Sequence, residues 1–256
     1  MRAFATIQKA ASGIAVGVLA VLALLNMTLS TRAQDRGKTY PKMLPLEQYL
    51  MDRNAEIALA RSAAPKAISH DATVLVLGQH GYETAVKGAN GFVCMVGRAW
   101  ASSIDFFDIW NPKMRGAICL NPAAAQSILP IVNKLAEMTL AGVYSEKERI
   151  AGIQEAYAKK EFPPVAPAGA MSYMMSKDAY LSHLGDHIYC HVMFFSPVRK
   201  ASEWGANQPD SPVSSTSFWF PDPGKPDNPL NRDLPPLRVF VVAVPKWSNG
   251  TLAFTN

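Results

Sequence analysis

Three histidines, His183, His187 and His191, stand four residues apart, and Asp186 sits beside the middle one. On a helix that spacing would place all three imidazoles on one face, where they could hold a divalent metal. The local composition opposes a helix. Gly185 separates the first two, and Ile188, Tyr189, Val192, Phe194 and Phe195 favour strand. On a strand, His187 and His191 point the same way but lie roughly 13 Å apart, so one ion would need a bend in the chain to meet both. His187, His191 and Asp186 are therefore candidate metal ligands, set against ordinary polar roles. No other cofactor is expected.

Cys119 offers a second chemistry. It stands just before Asn121-Pro122, a good helix start, and a helix N-terminus favours thiolate. With His191 on a later strand it would supply the nucleophile and base of a thiol hydrolase, in that chain order. No Cys-Gly-x-Cys-Trp run surrounds it, however. Cys119 could equally pack beneath the helix or bridge to Cys94 or Cys190. Three cysteines allow one bridge and three pairings.

Weaker groupings follow. His80 and Glu83, in the loop Gly78-Gln79-His80-Gly81-Tyr82-Glu83, could act as base and partner or touch a ligand. Ser69-His70-Asp71 is no triad, because adjacent side chains on an extended chain alternate in direction. Aromatics gather in two places: Trp100, Phe106, Phe107 and Trp110, then Trp204, Phe218, Trp219 and Phe220. On loops they could line a groove, with Trp110 and Trp219 as ligand contacts, or they could cover the sheet as core. Met171, Met174 and Met175 suit a strand core better than a soft-metal site. Asn249-Gly250-Thr251 fits a glycosylation acceptor, but a turn explains it as well. No glycine-rich phosphate loop occurs, which argues against a nucleotide-binding domain.

The elements that must position these groups read as follows. A helix is expected from Pro45 through Ala63, and a three-stranded meander over residues 73–100, with Gly88-Ala89-Asn90-Gly91 as a turn. Asn121-Pro122 starts a helix reaching about Gly142, with a kink at Pro130. Ser145 and Glu148 form a capping box for a helix over 146–160. Strands are expected at 171–176, 187–195, 215–220 (an edge strand) and 237–244, with a short helix over 177–184. Ser248-Asn249-Gly250 would then turn the chain back. Residues 197–236 contain nine prolines and read as a long loop region. The sum is an α+β fold: a mostly antiparallel sheet with helices packed on one side.

The N-terminus carries an address. Arg2 and Lys9 precede Ile14–Leu25, an uncharged apolar run, and Thr31-Arg32-Ala33 suits a signal peptidase. The run is shorter than the roughly 20 residues of a spanning helix. Residues 1–33 are thus expected to be a cleaved signal peptide, leaving residues 34–256 as one exported domain, periplasmic or extracellular, with no stable membrane span. The signal holds three of the 25 Lys and Arg and none of the 20 acids, so the mature chain carries only +2. That charge gives no case for nucleic acid as partner. Oligomeric state is left open.

The stretches DATVLVLGQHGYETAVKGANGFVCMVGR, WNPKMRGAICLNPAAAQ, MSYMMSK and HVMFFSP are similar to a family of uncharacterised exported bacterial proteins, over Ala63 to Trp247. The resemblance implies bacterial export and one continuous domain, with no activity or site residues attached. Two functions are expected: a protein binding a small ligand or envelope component, or else an exported hydrolase using the Cys/His or His-metal groups.

Overall fold

The computed structural model describes residues 40–101, 103–106, 108–163, 166–181, 189–220 and 229–253. Residues 1–33, expected to be a signal peptide, and His183, Asp186 and His187 lie outside them. The described residues belong to one unit, formed by Thr39–Ser182 and Asp186–Asn256.

Eight strands form one sheet: β1 (Thr73–Gly78), β2 (Gly81–Val86), β3 (Val93–Gly97), β4 (Gly116–Leu120), β5 (Met171–Met174), β6 (His191–Ser196), β7 (Val213–Ser217) and β8 (Arg238–Ala243). Their order is β2-β1-β3-β4-β5-β6-β8-β7, antiparallel except where β1 meets β3. The α+β class with a mostly antiparallel sheet is as expected. So is β7, which sits at the sheet edge.

Residues 73–100 do not form a meander. The β1–β2 hairpin is antiparallel, but β3 returns to the other side of β1 and runs parallel to it, pairing Thr73 with Val93 and Val74 with Cys94. The return passes close to the start of β1. A Cβ on Gly88 would lie 2.2 Å from the Thr73 nitrogen, so only glycine fits. Asn90 then holds the turn, accepting from Phe92 N at 3.0 Å and donating to Ile68 O at 2.8 Å.

Beyond those two pairs, β1 and β3 separate, and the loose backbone groups need partners. Helix α1 (Arg53–Arg61) supplies them through Glu56. Its carboxylate accepts from Leu77 N at 3.1 Å and from Arg98 Nη1 at 2.6 Å. Arg98 in turn donates to Val96 O. Both side chains are buried. The expected helix from Pro45 is split because Asp52 caps α1, accepting from Ala55 N, while Leu46–Gln48 forms a separate 3-10 turn.

Helices cover both faces and not the single side expected, because α1 packs on the face opposite the later helices. Beneath α1, small Ala60, Ala63 and Ala64 pack on Val74, Cys94, Val96 and Cys119. A four-residue helix α2 (Lys66–Ser69) follows α1. On the other face lie α3 (Pro122–Ser127), α4 (Leu129–Leu140) and α5 (Glu146–Ala158). The helix is interrupted at Ile128, two residues before the expected kink at Pro130, yet Ile128 keeps right-handed helical angles and Val132 N still donates to its carbonyl at 3.0 Å. Asn121 caps α3 and Ser145 caps α5, as read from sequence. Ile131, Leu135 and Ile153 of α4 and α5 join Leu75, Met95 and Leu120 in the main core. Residues 177–181 hold no helix, and no separate strand follows Gly250 among the described residues. The turn itself is present: Gly250 has φ 85°, and Trp247 N donates to Thr251 O.

Candidate functional site

The sheet register decides the fate of the thiol hydrolase. Cys119 is paired with Cys94 across β3 and β4 and joined to it by a disulfide. A bridged sulfur is no nucleophile. Cys119 also pairs with Tyr173, which pairs with Val192, so these three share a face. His191 is one residue from Val192 and faces the other way. The structure therefore corrects the Cys119–His191 pairing on both counts.

The aromatic groove is corrected at Trp110 and Trp219, while Phe106 and Phe218 do line a cavity. Trp219 is fully buried and donates its ring N–H to Pro235 O at 2.9 Å. Trp110 is buried against Tyr144, and its carbonyl accepts from the Tyr49 hydroxyl. Both are core residues. Trp204 is the exception: it is 47% exposed and stacks on Phe240. His80 and Glu83 are exposed on the β1–β2 hairpin, and Glu83 pairs with Arg53 at 2.9 Å. Four strands separate β2 from β6, so the hairpin and His191 belong to different regions. His70 touches Asp71 at 2.6 Å on the surface.

His187 and Asp186, the other candidate metal ligands, lie outside the described residues. Among the described residues, no group of three or more metal-binding side chains forms. His191 is buried, and its Nδ1–H donates to Tyr189 O at 2.7 Å. Burial lowers its pKa below the ordinary imidazole value and keeps the ring neutral, against the weaker upward pull of that hydrogen bond.

What His191 does face is a cavity of about 310 Å³ on the side of the sheet covered by α4. Its floor runs across the strands, from Met95 and Ile118 to Met193 and Val241. These pairs share one face: Met95 is opposite Ile118, and Met193 is opposite Val241. Ile128 and Val132 close it from the helical layer. The loop over Ala99, Ala101 and Ser103 forms another wall. Arg149 of α5 pins that wall, donating to Trp100 O at 2.7 Å and Ser103 O at 2.9 Å. Burial alone pulls the Arg149 pKa down to about 10.

One pair of positions facing the cavity carries no side chains. Two residues beyond the Met95–Ile118 pair, on the same face, Gly97 lies opposite Gly116. Both line the cavity. A Cβ on Gly97 would meet nothing nearer than Gly116 O at 3.5 Å, whereas one on Gly116 would press on Leu181 Cδ2 at 3.0 Å. Sequence reading missed these two glycines, and Thr216 of β7, because only strand register brings them to one face. The glycines ending VCMVG and starting GAICL were the available signal.

Compared with known protein families, curated proteins and solved structures, the chain shows no match. No helix among the described residues is long and apolar enough to cross a membrane.

Proposed function

We propose that this chain is an exported binding protein for a small molecule, or a small envelope component, seated in the sheet-face cavity. The observation that carries the reading is the cavity itself. At about 310 Å³, with mostly apolar walls and a few polar groups, it has the make-up of a small-molecule pocket. Close-packed interiors do not keep such space without cost, since its lining forgoes dispersion contacts. The Gly97–Gly116 pair adds to that cost, because glycine weakens a strand. A ligand would restore the contacts.

Export rests on the basic start, the apolar run and the Thr31-Arg32-Ala33 site. The Cys94–Cys119 disulfide supports it, because such bridges persist in oxidising compartments.

The test is titration of the purified protein with N-phenyl-1-naphthylamine, an uncharged dye that brightens in apolar surroundings. Saturable uptake at one dye per chain is expected. It should be lost in Ile118→Phe, which adds volume to the floor, with the fold checked by circular dichroism. Absence of saturable uptake by the unaltered protein would sink the reading.

A further inference from the structure

The cavity's charge and the layout of its polar groups say which molecules it can accept. Its described ionisable lining residues are Arg98, Tyr189 and His191. Arg98 has nothing left to offer. Nη1 donates to Glu56 Oε1 and Val96 O, both at 2.6 Å. Nη2 donates to Glu56 Oε2 at 3.1 Å and Tyr49 O at 2.8 Å, and Nε to Tyr49 O at 3.0 Å. All five donors of the guanidinium are engaged, and Glu56 cancels its charge. His191 is held neutral by burial. A carboxylate entering here would lose its hydration and find, among the described residues, no counter-charge and no spare cationic donor.

Ser103, on the wall after β3, has its hydroxyl turned to Ala99 O at 3.4 Å, and the other uncharged polar lining groups keep to one side. Tyr189, His191, Thr216 and Ser217 belong to β6, β7 and their approaches, and the Tyr189 hydroxyl lies 3.3 Å from Ser214 Oγ. Within β3 and β4 themselves the floor is Met95, Gly97, Gly116, Ile118 and Leu120, with no polar side-chain atom but the Met95 sulfur. β4 and β6 are two strand spacings apart, about 10 Å. A molecule spanning the cavity therefore meets hydroxyls at one end and bare aliphatic surface at the other.

Building on the small-ligand reading above, we propose that the cavity selects an uncharged amphiphile. Its hydroxyl or carbonyl end lies against β6 and β7, its aliphatic body lies over Gly97 and Gly116, and ionised counterparts of the same length are excluded.

The experiment displaces the bound dye with three ten-carbon chains: 1-decanol, decanoate and decylamine. At about pH 7.5 the first is neutral and the other two are charged, and each stays below its micelle-forming concentration. Decanol should displace at a concentration roughly ten-fold or more below either ion. Thr216→Val, which keeps shape and removes the hydroxyl, should weaken decanol about five-fold relative to the dye. Displacement by decanoate or decylamine as effective as by decanol overturns the proposal while leaving the small-ligand reading standing. Decanol unaffected by Thr216→Val overturns the placement of the polar end. A protein that takes up neither dye nor decanol removes both readings together.

Discussion

Cys190 is the one cysteine outside the Cys94–Cys119 bridge, and it is buried, with its thiol donating to Lys246 O at 3.1 Å. Burial pushes its pKa up to about 11. Thiolate is the reactive form, so the folded protein should be inert to a thiol reagent at about pH 8. Counting thiols with Ellman's reagent should give none in the native protein, one in denaturant and three after reduction. Stoichiometric native labelling would contradict the burial, and three thiols in unreduced denatured protein would contradict the disulfide. His191 makes a prediction of opposite chemistry. Its folded pKa lies below the ordinary value of about 6.5. As pH falls through 6.5 the unfolded chain therefore takes up the proton first. The stability this residue contributes is intact above that value and declines below it. Urea midpoints at about pH 7.5 and 5.5 should differ more in the natural protein than in His191→Gln. Equal differences would mean that His191 is not held neutral. Single residues were partly legible in the sequence. Asn121 and Ser145 cap the helices assigned to them, because capping depends on a few adjacent backbone groups. Cys119 was misleading, since a strand partner 25 residues away decides whether its sulfur is free.

At the scale of elements, the weak point is the gap where β1 and β3 part. Leu77 N would lose its Glu56 partner there, and Val96 O would keep only the Tyr82 hydroxyl at 3.0 Å without Arg98. A buried pair with every donor engaged costs little to keep but much to break, because removing one partner strands the other's charge. Glu56→Ala should lower unfolding stability by about 3–5 kcal/mol, and Arg98→Met by a similar amount. The Glu56→Met, Arg98→Met double variant should recover part of the loss. Chemical denaturation of all four forms checks this, and a double variant at the sum of the singles would mean the pair is not coupled. This gap also explains the error over residues 73–100. Each strand was legible from its apolar run, and the Asn90-Gly91 turn from its residue types. The order was not, because the choice between pairing β3 with β2 or with β1 turns on how Gly88 passes Asp71–Thr73 and on Glu56 arriving from α1. No local pattern encodes either.

Across the whole molecule, the α+β class was readable because alternation and helix caps are local signals that survive in one sequence. The cavity was not, being a space left between β3, β4, β6, β8 and α4 that no segment records alone. Gly97 lets stability and function be separated at this scale. It sits within a strand on ordinary backbone, and a Cβ there would have clear room. Were the glycine there for folding, a larger side chain would harm the fold. Were it there to keep the cavity open, the larger side chain would help the fold and harm binding. Valine favours strands and would cover apolar surface that now faces empty space. Gly97→Val should therefore hold or raise the melting temperature, by an amount on the order of a few degrees, since ~1 kcal/mol shifts a domain this size by about 2–4 °C. It should at the same time weaken dye and decanol at least several-fold. Melting and dye titration on one preparation read both effects. A variant that melts well below the natural protein, yet still binds normally, would show that Gly97 serves the strand and not the cavity.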